Sequence, residues 1–272
     1  MDLDAYFART GYSGPRAPDL ATLDAVMRAH VASVPFENLD VQLGRRIHID
    51  PQAIFAKLVT ARRGGWCYEQ NGLFGGVLDA MGFQVRRLTC GVMRAAAGDA
   101  VMGNHLALAV TLEGKPWLVD VGFGGSQAGP LPLAAGAHVH APYAIALTRE
   151  EDGHWRLTES VEPGKPFSFD FLDGPADEAL LAAKCTELQD NPDSVFVQNL
   201  VVQQRIGDRH RSLRGRVFSE RGTEGETKRL IADADEFVAT IRDKFGMDVP
   251  EAAGLWDKVC TRHAVLFPED AA

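Results

Sequence analysis

The sequence predicts an α+β fold, with helices in its first third and antiparallel strands after them. Two observations carry this. Apolar residues recur at helical spacing up to about residue 84, and from about residue 83 they recur at alternate positions between glycine-rich turns. Grouped helices followed by grouped strands favour α+β over a parallel α/β sheet, in which the two alternate. A length of 272 residues fits one large domain or two to three small ones.

The elements follow in chain order. In "PDLATLDAVMRAHVASV", Leu20, Leu23, Val26 and Met27 make one helical face and Asp19 is available as a cap. In "DPQAIFAKLVTAR", Asp50 can cap, Pro51 suits a first turn, and Ile54, Phe55, Leu58 and Val59 form a stripe. A third helix starts near Cys67, buries Leu73, Phe74, Val77, Leu78 and Met81, and ends at Gly82. "FQVRRLTCGVM", "HLALAVTLEG" and "PWLVDVGFGG" read as strands, with shorter ones near 142–149, 154–160 and 165–171. Together they suggest an antiparallel sheet or small barrel. The last third is mixed. "SVFVQNLVVQQRI" and "LRGRVFSE" read as strands, "DADEFVATIRDKF" as a helix capped by Asp233 or Asp235 and stopped by Gly246, and "GLWDKVCTRHA" as a short final helix.

Composition excludes some function classes. Apolar residues make up 46% and charged residues 24%, ordinary for a folded chain with a substantial core. The net charge of -9 argues against non-specific nucleic-acid binding and against an anionic membrane surface, so an anionic ligand needs local donors. No stretch approaches the roughly 20 apolar residues of a membrane span. The acidic start, "MDLDAYFART", lacks a signal-peptide pattern. Cys67, Cys90, Cys185 and Cys260 form no C-x-x-C pair and the eight histidines show no finger spacing, so the expectation is a reduced, cytoplasmic protein without bound metal.

Cys67 stands out, because it follows two glycines at a helix start instead of sitting inside an apolar run. A helix N-terminus and a nearby imidazolium both favour a thiolate, and Gly64 and Gly65 would let a substrate come close. The alternative is an inert buried cysteine. His105 opens one strand, and Asp120 lies among Leu118, Val119 and Val121, where a carboxylate must be paired. Cys, His and Asp are the parts of an activated thiol nucleophile. A two-residue turn at Gly114-Lys115 would leave His105 and Asp120 about four residues, roughly 13 Å, out of register, so the pairing needs a bulge, a stagger or another loop. Otherwise each has a separate structural role.

Three further segments have two readings each. "DVGFGGS" lacks the features of a nucleotide loop, and is either a tight anion-holding turn or a plain strand end. Phe36 is core or substrate wall. In "QQRIGDRHRSLRGR", Arg205, Arg209, His210, Arg211, Arg214 and Arg216 form a solvated strand face or a patch for a phosphorylated cofactor, with Arg209 and Arg211 facing the glycine turn.

In order along the chain, "H-x-x-x-V-P-F-E-N-L-D" (30–40), "R-G-G-W-C-Y-E-Q-N" (63–71), "N-H-L" (104–106) and "V-D-V-G-F-G" (119–124) resemble the arylamine N-acetyltransferase family. The first two are long and specific. The resemblance is strong over residues 1–130 and thin beyond, where "S-V-F" (194–196) and "L-R-G-R" (213–216) look like later landmarks. It implies an N-terminal helical bundle (1–84), a central antiparallel β-barrel (85–185) and a C-terminal α/β lid (186–272) on a cysteine-protease-like core. It also implies acetyl transfer from acetyl-CoA, a co-substrate and not a permanently bound cofactor. The acceptors would be arylamines and arylhydrazines at nitrogen and N-hydroxyarylamines at oxygen. Transfer would run by a ping-pong mechanism through an acetyl-cysteine. The family's triad falls on Cys67, His105 and Asp120, its pocket aromatics on Phe36, Phe123 and Phe196, and its coenzyme A turn on Gly124 and Gly125.

Two rival classes remain open on the residues alone. One is another thiol acyl-transfer enzyme. The papain-type signature fails at Gly64, whereas the spacings of 38 and 15 residues fit a transglutaminase-like order. The other is a non-catalytic binding module on the same fold.

Overall fold

The computed structural model describes residues 1–160 and 166–268. Helices Leu3–Thr10, Leu20–Ser33 and Cys67–Ala80 form the N-terminal part. The carboxylate of Asp19 accepts from the Thr22 N–H and that of Asp50 from Gln52 and Ala53, caps worth about 1 kcal/mol each. Gly82, at φ 89°, turns the chain out of the third helix. The segment expected as one helix after Pro51 is α-helical only to Phe55. Over Ala56–Thr60 it widens to a π-turn, and Lys57, at the start of that turn, reaches three carboxylates.

The strands are β1 (Phe36–Glu37), β2 (Gln84–Val92), β3 (His105–Leu112), β4 (Lys115–Val119), β5 (Leu131–Pro132), β6 (Gly136–His140), β7 (Tyr143–Arg149), β8 (Trp155–Ser160), β9 (Phe167–Phe171), β10 (Val201–Ile206), β11 (Arg209–Arg214), β12 (Val217–Gly222) and β13 (Gly225–Leu230). An eight-stranded antiparallel sheet in the order β5-β4-β3-β2-β9-β8-β7-β6 curls into a nearly closed barrel. The strand expected at 165–171 is seen from Phe167, and residue 165 lies outside the described residues. A second antiparallel sheet runs β1-β10-β11-β12-β13, so its edge strand comes from the N-terminal region.

Two expectations in the last third need correction, and the expected final helix is present with a start two residues later. "SVFVQ" is not strand: Ser194 accepts from the Phe196 N–H and starts a short helix, Val195–Gln198, before β10. A local cap overrides the strand preference of Val195 and Val197. "LRGRVFSE" is a hairpin corner with Gly215 at φ 57°. The final helix, Trp256–Leu266, is preceded by a 3-10 turn from Pro250 to Leu255. Among the described residues no helix is long and apolar enough to cross a membrane.

β3 is buried on both faces, which explains the unbroken apolar run "HLALAV". Leu108 and Val110 pack with Phe74 and Val77 of the helices. Ala107 and Ala109 face the barrel interior with Leu157 and Phe169. His105 has the parity of Ala107 and therefore looks into the mouth of the barrel.

Candidate active site

Cys67 is the first residue of its helix and is 3% exposed. The Trp66 N–H donates to the carboxylate of Glu69, three residues on, which anchors the helix start. The two glycines before it serve packing, not substrate approach as their position suggested. A Cβ on Gly64 would lie 2.2 Å from the Pro35 carbonyl, and one on Gly65 would lie 2.6 Å from the Glu69 carboxylate. His30 explains its place in the first motif. Its Nδ1 accepts from Tyr6 and its Nε2 donates to Gln70, which in turn holds the carbonyls of Val34 and Gly65. Burial lowers the His30 pKa to about 4, so the ring is neutral, as this pattern requires.

The register problem between His105 and Asp120 resolves through the turn. β3 and β4 pair with Leu112 opposite Lys115 and Leu108 opposite Val119. The two turn residues are therefore Glu113 and Gly114, one position earlier than the tight turn considered from sequence. Both have positive φ, at 50° and 75°, as a type I′ turn demands. His105 and Asp120 are then offset by two residues, about 7 Å along the strand, and share a face. Asp120 lies just past the end of β4 and closes that offset: His105 Nε2 is 2.6 Å from Asp120 Oδ2.

With Nε2 held by the carboxylate, Nδ1 is the ring nitrogen left for the Cys67 thiol, whose hydrogen bond and charge act on the imidazole. Burial disfavours the charged ring. The Asp120 carboxylate and the thiol outweigh it and raise the His105 pKa to about 10. The Cys67 Sγ also lies 4.0 Å from the Asn104 carbonyl. The Asn104 side chain points elsewhere, accepting from the Val92 N–H at 2.7 Å.

Two contributors escaped the sequence reading. Asn71 is one helical turn beyond Cys67 and on the same face. Its Nδ2 donates to Asp120 Oδ1 at 2.8 Å and its Oδ1 accepts from the Val121 N–H. The Gly122 N–H donates to the same Asp120 oxygen at 2.8 Å, and a Cβ there would sit 2.6 Å from Cys67 Cα. The i+4 spacing from Cys67 was the signal for Asn71. For Gly122 it was a glycine two residues after the buried acid.

The aromatic candidates divide into two groups. Phe36 and Phe196 lie 6.2 Å apart, with Phe196 against Trp66, on the Cys67 side. Phe123 lies 5.2 Å from the His105 ring and stacks on Phe167 at 4.9 Å. Phe167 and Phe169, both near Phe123, were not singled out from sequence.

Gly124 and Gly125 have φ of 87° and 100°, a path that favours glycine. Their carbonyls are tied to the C-terminal sheet. His210 Nε2 donates to Gly124 at 2.6 Å and Arg205 Nη1 to Gly125 at 3.0 Å. Arg205 is buried and also donates to the carbonyls of Ser126, His140, Ala141 and Gly207. It locks this turn and is not displayed as a phosphate patch. Arg211 has the opposite strand parity to His210, bonding Glu220 and the Lys244 carbonyl, and Arg209 is exposed on that same parity. Neither faces the glycine turn. Arg214 is exposed, and Arg216 donates to the Ile231 carbonyl.

A family model described as N-acetyltransferase matches residues 19–253. The chain is 38% identical to the arylamine N-acetyltransferase of Mycolicibacterium smegmatis over 264 residues, 93% of this chain and 94% of that one. Among solved structures it resembles the arylamine N-acetyltransferase of Mycobacterium marinum in complex with CoA, at 34% identity and a TM-score of 0.86, covering 95% of this chain and 98% of that one. It also resembles the enzyme from M. tuberculosis, at 33% identity and a TM-score of 0.85, covering 95% and 99%.

Proposed function

The chain belongs to the arylamine N-acetyltransferase family, whose members are acetyl-CoA-dependent transferases, and on that footing we propose that Cys67, His105 and Asp120 carry the acetyl group from acetyl-CoA to an aromatic amine in two half-reactions. The observation that carries this reading is the 2.6 Å contact of His105 with Asp120, behind a thiol at a helix start. Family membership selects acetyl transfer over the peptidase-like, transglutaminase-like and binding-module readings.

In the first half, the Cys67 thiolate attacks the thioester carbonyl. The Sγ–carbon bond forms, the bond to coenzyme A sulfur breaks, and the departing thiolate takes the proton of the His105 imidazolium. In the second half, the amine nitrogen attacks the acetyl-cysteine, its proton passes to His105, and the Cys67 thiolate leaves. Atoms and charge return to the start. Thioester exchange is nearly isoenergetic, so the first half is reversible. An arylamine is neutral at pH 7 and attacks directly, whereas a protonated alkylamine has no free electron pair. Phe36 and Phe196 on one side and Phe123 on the other would wall a flat acceptor. Arylhydrazines and N-hydroxyarylamines share that chemistry. Gly124 and Gly125 are the proposed contact for coenzyme A, and the three-part division at about 84 and 185 remains the working domain scheme.

Mixing the protein with acetyl-CoA and no acceptor should add one acetyl group, located on Cys67 by peptide mass spectrometry. Cys67→Ser should take up none and show no turnover. An unmodified Cys67 in an active enzyme would overturn the two-step reading.

A further inference from the structure

A cavity of about 360 Å³ lies between the barrel mouth and the C-terminal sheet, lined by Tyr143, Glu159 and Phe167 on one side and Gln203, His210 and Arg221 on the other. Phe167 is 42% exposed, and its stack on Phe123 runs from this cavity to the His105 ring. Glu159 stands directly opposite Phe167 in the β8–β9 ladder. It shares the parity of buried Leu157 and so points to the interior side of the barrel wall. Its Oε2 is shut from solvent with no hydrogen bond of regular geometry, and the buried Ser126 hydroxyl beside it favours the charged carboxylate without making a regular bond.

A buried carboxyl left short of donors is costly unless something meets it. The groups facing Glu159 are accounted for. Asp120 is paired with His105, Arg221 with Glu226 at 3.0 Å, and His210 is neutral, donating to Gly124 and accepting from Tyr143. Burial raises the Glu159 pKa to about 7. The nearby Ser126 hydroxyl opposes that, the Asp120 charge adds to it, and His105 opposes it. The group therefore gains its charge as pH rises through neutrality.

We propose that Glu159 is a specificity-determining residue for the acceptor. With the acceptor ring laid along Phe123 and Phe167, its carboxyl receives a cationic or hydrogen-bond-donating substituent at the end of the ring remote from the reacting amine, and disfavours a carboxylate there. This rests on the Cys67–His105–Asp120 reading given above.

The test compares 4-(aminomethyl)aniline with 4-aminobenzoate, whose remote groups stay cationic and anionic, respectively, between about pH 6 and pH 8. The ratio of their kcat/KM values cancels any effect on the nucleophile that both share. In the wild type the ratio of cation to anion should rise by about tenfold over that interval, and in Glu159→Gln it should stay flat and low. Acetylation of Cys67 by acetyl-CoA alone is followed in both proteins. Its absence from the wild type would sink the nucleophile assignment, and its presence in Glu159→Gln shows that the variant folds. With acetylation intact, a flat wild-type ratio, or a ratio unchanged by Glu159→Gln, overturns the role of Glu159. Should the variant fail to fold, the wild-type pH profile decides alone.

Discussion

Two buried charge clusters flank the first turn of the Cys67 helix, and they are built differently. Behind it, Lys57 and Arg63 meet Glu37, Asp40 and Glu69. Lys57 is 2.8 Å from Glu69 and 2.9 Å from Asp40, and Arg63 is 2.8 Å from Glu37 and 3.2 Å from Asp40. Burial pulls the Lys57 pKa down, but the three carboxylates outweigh it and hold the ammonium charged. In this set each carboxylate meets a cation, Asp40 also facing the half-exposed Arg45 at 3.8 Å. In front, the chain from Asn71 through Asp120 to His105 ends at a thiol. A closed set of charges fixes the backbone, whereas a chain with one free end can act on a ligand.

Breaking the open chain should cost most. In Asp120→Asn, the donors Asn71 Nδ2 and Gly122 N–H will select the amide oxygen, turning the NH₂ towards His105 Nε2. That forces the ring proton onto Nδ1, where it can no longer accept from Cys67 or the amine. A loss of about 10³ to 10⁴ in kcat is expected, with the fold retained. A pH effect accompanies it. The raised His105 pKa means that its interaction with Asp120 stabilises the fold fully below about 6.5 and is lost as pH climbs towards about 10. The stability gap between wild type and Asp120→Asn in urea titrations should therefore narrow over that window.

Breaking the closed set should act on stability instead. Lys57→Met leaves the three carboxylates to Arg63 and to the half-exposed Arg45, 3.8 Å from Asp40, and a loss of about 3–5 kcal/mol is expected from denaturant unfolding. Adding Glu69→Gln should restore part of it. Equal stability of Lys57→Met and wild type would show that the cluster is not what holds this turn.

A smaller effect is expected where the open chain packs on the backbone of Cys67. Gly122→Ala puts a methyl group 2.6 Å from Cys67 Cα and 2.6 Å from Asn71 Nδ2. A shift of the thiol by a few tenths of an ångström to 1 Å should lower kcat by about 10²-fold. The KM for acetyl-CoA should move far less.

The smallest effect is expected on the strand face away from the site. Arg209→Ala with Arg211→Ala should change the KM for acetyl-CoA by about twofold or less and stability by about 1 kcal/mol, since Arg209 is exposed and Arg211 makes a partly exposed pair with Glu220. A large KM increase that vanishes in high salt would restore the phosphate role.

What the sequence made legible follows a physical line. Cys67 and Asp120 were visible because each is chemically out of place: a thiol after two glycines, a carboxylate in an apolar strand. The strand register was not, since "EGK" allows two turn positions, and which backbone takes positive φ is settled by both strands together. The arginine cluster misled because strand parity and burial decide where each side chain goes. Arg205 turns inward to carbonyl groups and Arg211 to the opposite face. Glu159 gave no signal, for "WRLTES" looks like an ordinary half-solvated strand until the curl of the sheet closes over it.

The pairing of β1 with β10 has a consequence for biosynthesis. Phe36 is opposite Gln203 and also bridges Gly65, two residues before the thiol. A nascent chain could carry Cys67, His105 and Asp120 outside the ribosome and still lack the strand that closes over Phe36. Contacts that span so much sequence form late, because the loop they close must be ordered first. The Cys67 thiol would thus acquire its final surroundings only when the last third of the polypeptide arrives, and until then its helix start would lie beside an unpaired strand at Phe36.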